Sequence, residues 1–227
     1  MRKQTQMTLK FLFDYVSPYA YLAWTQLPAL AETYGVSIQP VPVLFAGLLK
    51  AHGQKGPAEI PAKQRWMIDN VLQNAAYLGV PIQPPAYHPF NPLLALRATV
   101  SCDSEQETRE IMEACFRGAW QYRAHISEAY VLQRLLDDAG IDGAAAVRRG
   151  TSEAAKKLLH RNTSDAISTG AFGVPTFILD DQLFWGVTDL VLIERRLRDG
   201  AGADPGKSLL WRENVRPSAG RGGVPTP

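Results

Sequence analysis

Apolar positions change period along the chain, and the changes mark its elements. Residues 9–13 are a short apolar run of strand length. Residues 19–34 then carry Tyr21, Leu22, Leu27, Leu30, Ala31 and Tyr34 at helical spacing, and Gly35 ends that helix. Val36 to Val43 reads as a second strand, with Pro40 and Pro42 suggesting an edge position or an early strand end. A strand, a helix and a strand in this order imply parallel pairing through a right-handed crossover.

A long helical block follows. A helical turn is expected over 44–49, then a Gly- and Pro-rich loop from His52 to Pro57. From Pro61 to Leu78 the helical period returns, with Trp66, Met67, Val71, Leu72, Ala75 and Leu78 expected on one face. Gly79-Val80-Pro81 ends it, and residues 81–92 form a proline-rich connector. Shorter helices are expected over 92–101, from a capping box at Ser104–Glu107 through about Tyr122, over 127–139, and over 142–149 and 151–160, the last capped by Thr151 or Ser152. No convincing strand lies between residues 45 and 168.

The strand pattern returns at Gly173–Leu179. Asp180-Asp181 makes a turn, Gln182–Trp185 is the partner strand of a hairpin, and Leu190–Arg198 is a last helix capped by Thr188 or Asp189. The expected division is residues 8–44 with 169–200 as one α/β unit, 45–168 as an inserted helical one, and 201–227 as a flexible tail in which Leu209, Leu210 and Trp211 offer an anchor. This order, βαβ, helical insert, ββα, is that of a thioredoxin-like fold interrupted in its middle.

Composition narrows the chemistry. The 227 residues are enough for a well-buried core, and a formal net charge of +2 points to neither nucleic acid nor an anionic membrane. No apolar run has the roughly 20 residues that span a bilayer, and Met1 to Lys10 lacks a secretory signal's apolar core. A cytoplasmic, reducing setting is therefore expected. Cys102 and Cys115 form no Cys-x-x-Cys pair, and His52, His88, His125 and His160 are scattered, so no metal site is expected. The Gly-x-Ser-x-Gly elbow of hydrolases is absent.

Ser17-Pro18 sits between the first strand and the first helix. Serine is a favoured N-cap and proline a favoured first helical residue, so capping alone accounts for the pair. A helix N-terminus also offers free N–H groups and partial positive charge, which favour an anion such as a thiolate.

Phe13-Asp14-Tyr15-Val16-Ser17-Pro18-Tyr19-Ala20-Tyr21-Leu22, together with Gly170-Ala171-Phe172-Gly173-Val174-Pro175-Thr176-Phe177, closely resembles the 2-hydroxychromene-2-carboxylate isomerase family, relatives of the kappa-class glutathione transferases within the DsbA-like thioredoxin superfamily. The resemblance spans about residues 9–198 and includes Pro61-Ala62-Lys63, Gly79-Val80-Pro81 and Phe90-Asn91-Pro92. It implies glutathione as cofactor, with Ser17 holding the sulfur by a hydrogen bond, and a cis Val174–Pro175 peptide presenting Val174 to the glutathione main chain. It further implies contacts from Lys63, Gln54, Thr188 and Asp189, and a homodimer. The family's Asn is Gln54 here, its Asp-x-x-Arg is Asn70-Val71-Leu72-Gln73, and its Gly-x-Asp-Arg is Gly186-Val187-Thr188-Asp189.

The reaction so implied is cis–trans isomerisation of a conjugated aromatic 2-oxo acid by reversible thiolate addition. Lys50, Lys63 and Arg97 are candidates for the substrate carboxylate and its enolate, and Phe45, Trp66, Tyr87 and Phe90 for its aromatic part. A kappa-like transferase or peroxidase, and a non-catalytic binder of a thiol metabolite, are the alternatives. A disulfide oxidoreductase is disfavoured, since no cysteine lies near Ser17 or Pro175 in sequence.

Overall fold

A computed structural model describes residues 7–200 and 202–215. Its sheet has the order β2-β1-β3-β4. β1 (Thr8–Phe13) pairs in parallel with β2 (Ser37–Pro42) across α1 (Pro18–Tyr34), and antiparallel with β3 (Thr176–Leu179). β2 is an edge strand, where its prolines remove no ladder bond that a neighbour needs. β3 and β4 (Gln182–Trp185) form the expected hairpin. Asp180 and Asp181 make its two-residue turn with φ of 48° and 62°, a conformation that aspartate tolerates and that matches the strands' twist.

Helices α2 (Phe45–Ala51), α3 (Pro61–Leu78), α4 (Leu93–Val100), α5 (Glu105–Trp120), α6 (Ala129–Asp138), α7 (Gly143–Gly150) and α8 (Glu153–Ser168) fill the interval between β2 and β3, which holds no strand among the described residues. Their hydrophobic residues do not form a separate core. Phe11, Phe13, Tyr15 and Trp24 from the β1–α1 half pack with Phe116 of α5 and Phe177 of β3, with ring centroids 4.8 Å apart for Tyr15–Phe116 and 5.5 Å for Phe13–Phe116. Leu12, Val43, Leu48, Ala166, Ala171 and Val174 cover the other face of the sheet.

Several expectations need correction. On α3 the buried ridge is Met67, Val71 and Ala75, at spacing four, so Trp66 and Leu72 fall outside it and are exposed. The Ser104 hydroxyl does cap α5, accepting from Glu107 N at 3.1 Å, but the Glu107 carboxylate takes the N–H of Asp103, so the reciprocal half of a capping box is missing and the helix stops at Trp120. α6 starts at Ala129 because the Ser127 hydroxyl donates instead to Asn91 O. Ser152 caps α8, which runs on to Ser168. α9 (Leu190–Asp199) follows a single 3-10 turn over Val187–Asp189 and has no side-chain cap. Within the expected tail, Asp204 accepts from Lys207 N and Pro205 opens α10 (Pro205–Asn214), so this part is helical. Its Leu209, Leu210 and Trp211 are exposed rather than anchoring. The rest of the expected tail, residue 201 and residues 216–227, lies outside the described residues.

Asp14 organises the turn that ends β1. It is 1% exposed. Its main-chain carbonyl accepts from Ser17 N at 3.1 Å, its Oδ1 from Val16 N at 3.0 Å, and its Oδ2 from Phe45 N at 2.9 Å. The last contact caps α2, whose own N-cap Leu44 has no side chain for the task. Burial raises the Asp14 carboxyl from 3.8 to about 7, against the opposing pull of its bonds to Phe45 and Val16.

Two predictions follow from this packing. Because the folded chain holds the Asp14 proton more tightly than the unfolded chain, stability should fall as pH rises from about 4 to about 7 and level off above that. Asp14→Asn should flatten that slope while leaving one N–H facing an amide donor, a loss of about 1–3 kcal/mol at acidic pH. Urea denaturation at pH values across this range measures both, and an equal slope in the two proteins would refute the assignment. Separately, a Cβ on Gly143 would lie 2.2 Å from the backbone oxygen of Gln133. Gly143→Ala should therefore destabilise the α6–α7 junction by about 1–3 kcal/mol in the same assay.

Candidate active site

The two end motifs of the sequence meet at the N-terminus of α1. Ser17 has an extended backbone (φ −92°, ψ 115°), and its Oγ accepts from Ala20 N at 3.2 Å, so it is the cap that the sequence suggests. The same Oγ donates to the Val174 carbonyl at 3.3 Å, 157 residues away. The Val174–Pro175 peptide is cis. Val174 N forms no hydrogen bond among the described residues. The site therefore presents a rotatable hydroxyl, a main-chain N–H beside a proline, and the positive end of a 17-residue helix.

This arrangement is held from both sides. The hydroxyl of Thr176 donates to Gly173 O at 2.7 Å, and Gly186 N donates to Pro175 O at 2.9 Å. His52, at the C-cap of α2, places Nε2 at 3.0 Å from Ala171 O. Helix α2 is thus tied at its start to the turn carrying Ser17 and at its end to the loop carrying Val174. Trp185 packs on Phe172 at 5.0 Å, and its Nε1 occupies the space where a Cβ on Gly173 would stand. The Trp185 N–H is taken by the Asp189 carboxylate at 2.9 Å.

The other expected site residues are placed unevenly. Phe45 lies partly buried over the sheet, with its N–H on Asp14, and Phe90 packs on Trp120 at 6.2 Å. Lys50, Gln54, Lys63 and Thr188 are exposed. Trp66 and Tyr87 are 63% and 70% exposed, so neither is core, and Tyr87 stands edge-on to His125 at 5.1 Å. Arg97 lies on α4, and its Nε is enclosed without a partner. No ion pair joins Lys50, Lys63 or Arg97 to any described residue. Asn70, where the family pattern has an acid, accepts a hydrogen bond from Tyr19, two residues past Ser17, at 2.8 Å.

Two residues at this site went unassigned in the sequence. Asp14 is one, and only the adjacency to Ser17 hinted at it. The other is His88, whose Nε2 lies 2.9 Å from Val16 O and whose ring stands edge-on to Trp120 at 5.7 Å. The His88–Pro89 peptide is a second cis bond. Trp120 in turn donates to Tyr15 O at 2.9 Å, so both backbone carbonyls before Ser17 are held by the helical block.

Neither cysteine is poised as a thiolate. Burial pushes the Cys115 thiol up to about 12 and that of Cys102 to about 11, so neither is a thiolate near neutral pH. No cluster of metal-ligating side chains exists among the described residues, and no described helix is long and apolar enough to cross a membrane. A groove of about 1000 Å³ lies along the second half of α1, lined by Trp24, Leu27, Glu113, Arg117 and Leu135 among others. It contains none of the residues at the α1 N-terminus. The groove and the hydrogen-bonded meeting of Ser17 and Val174 are separate features of the fold.

Residues 8–198 match the family model described as a DSBA-like thioredoxin domain. The 2-hydroxychromene-2-carboxylate isomerase of Sphingobium xenophagum is 28% identical over 194 residues, covering 85% of this chain and 98% of that protein. Glutathione S-transferase kappa 2 of Caenorhabditis elegans is also 28% identical, over 76% of this chain and 81% of its own. A solved structure of a 2-hydroxychromene-2-carboxylate isomerase superposes with a TM-score of 0.77 at 24% identity, over 92% of this chain and 98% of that one. The chain belongs to the DSBA-like thioredoxin-domain family, with isomerases and kappa-class transferases among its relatives.

Proposed function

We propose that this protein is a glutathione-dependent cis–trans isomerase acting on 2-hydroxychromene-2-carboxylate or a similar conjugated aromatic 2-oxo acid. The observation that carries the reading is the Ser17 hydroxyl, set at the α1 N-terminus and bonded across to Val174 beside a cis proline. Relatives named as isomerases of that acid support the substrate class, and relatives named as kappa glutathione transferases support the cofactor.

The residues present suit glutathione. A peptide-like main chain finds the unbonded Val174 N–H, and Lys63 is an unpaired cation for its glycyl carboxylate. Gln54, Thr188 and Asp189 complete the proposed contacts, although one Asp189 oxygen already holds the Trp185 N–H. Bound glutathione supplies a thiol whose reversible addition turns the substrate's double bond into a single one about which rotation is free. Ser17 must turn its O–H from Val174 O toward the sulfur, which a hydroxyl does without moving its oxygen. That hydrogen bond and the partial charge of the α1 N-terminus both favour the ionised thiol over the neutral one, whose free pKa is about 8.5. Phe45 and Phe90 offer apolar walls for the aromatic part, with exposed Trp66 and Tyr87 at the margin. Lys50 and Arg97 are the remaining cations proposed for the substrate carboxylate. The protein is further proposed to work in a reducing cytoplasm as a homodimer.

The kappa-class relatives favour a second reading, transfer of glutathione to a different electrophile through the same Ser17 site.

Titration calorimetry should detect glutathione binding at millimolar concentration, and isomerisation of the chromene acid should require glutathione. Ser17→Ala should lower kcat/KM by about 10²-fold or more, as loss of one donor to a developing anion does. Absence of binding would sink both readings. Binding with transfer to an aryl halide, but no isomerisation, would select the second.

A further inference from the structure

His88 is a titratable group at this site that the mechanism above leaves idle. A carbonyl oxygen only accepts, so the 2.9 Å contact with Val16 O puts the ring hydrogen on Nε2 and leaves a lone pair on Nδ1 of the neutral imidazole. Among the described residues Nδ1 has no hydrogen-bond partner, and it is not one of the enclosed side-chain atoms, so its lone pair is not sealed inside the protein.

The ring is also well fixed. Its Nε2 anchor is the carbonyl directly before Ser17, and its face is set by Trp120, itself bonded to Tyr15 O. Phe90 packs on Trp120 as well. Among the described residues the imidazole has no ion pair and no charged hydrogen-bond partner: Trp120 and the Val16 backbone are neutral, and the titratable groups alongside are Tyr87, next in the chain, and His125, on which Tyr87 packs. Burial lowers the pKa of His88 below its usual 6.5, against the opposing effect of the Val16 bond, so the ring is a free base at neutral pH.

We propose that His88 is the proton acceptor of the thiol site, with Nδ1 taking the proton of the thiol held beside Ser17. This rests on the glutathione reading above. The S–H bond breaks, its electron pair stays on sulfur, and the proton bonds to Nδ1, leaving a thiolate and an imidazolium. No oxidant or reductant is involved, and the proton returns to sulfur when the thiol leaves. Val16 O steadies the imidazolium through Nε2–H, a bond that strengthens once the ring is charged. Ser17 then donates to the thiolate rather than removing its proton, which a hydroxyl has no basicity to do.

The test follows the ultraviolet absorbance of bound thiolate against pH, in wild type and in His88→Gln. Glutamine keeps an N–H for Val16 O and lacks a basic nitrogen. The variant should raise the pKa of the bound thiol by about one unit or more. It should also lose the acidic limb of the kcat/KM profile and about 10²- to 10⁴-fold in rate at neutral pH. A second measurement needs no variant: in an NMR titration of wild type, adding glutathione should raise the His88 pKa, because a thiolate then faces the ring. Unchanged thiol ionisation in His88→Gln, or an unchanged His88 titration on adding glutathione that binds, would overturn the proposal alone. Failure of wild type to bind glutathione would overturn it together with the reading on which it rests.

Discussion

One buried carboxylate holds the working end of this molecule together. Asp14 accepts N–H groups from Val16 and Phe45, and its own carbonyl accepts from Ser17. The first and third shape the turn in which Ser17 must sit, and the second supplies the cap that α2 lacks. Because α2 is tied at its other end to Ala171 through His52, the effect reaches the loop that carries Val174 and Pro175. A side chain on one strand end thus sets the distance between the two halves of the site.

The candidate site is assembled from groups that are ordinary when taken singly. Ser17 is a helix cap, as it would be in many proteins. What distinguishes it is the second bond, to a carbonyl beside a cis proline, which makes the cap hydroxyl face a main-chain edge. The absence of reactive cysteine follows the same logic. With Cys115 buried, Cys102 half-buried and both thiols pushed up, neither cysteine of the chain supplies a thiolate near neutral pH.

Much of this was readable in the chain, for definable reasons. Period and punctuation are local, so β1, α1, the hairpin and the bounds of α3 followed from residue spacing, and the pairing of the two end motifs placed Ser17 opposite Pro175. What escaped were contacts between segments far apart in sequence. That Asp14 caps α2, or that His88 reaches Val16, depends on how the proline-rich connector and the helical block fold back, which no local pattern encodes. The exposure of Trp66 and Leu72 was missed because an apolar stripe wider than one ridge does not say which ridge meets the core. Helix α10 was missed because Gly and Pro on either side masked the Asp204–Pro205 start signal.

The aromatic cluster that runs from Phe11 and Phe13 through Tyr15 to Phe116 has a mechanical consequence. It welds α5 to the strand that leads into the Ser17 turn, and a close-packed interior does not shear in small increments. Helix α5 cannot swing aside without breaking that cluster. The connector from Pro81 to Pro92 is fastened as well, by Tyr21 to Pro81 O, by Gln83 N to Trp120 O and by His88 to Val16 O. The turn that carries Ser17 is therefore braced by α5 and by the connector together.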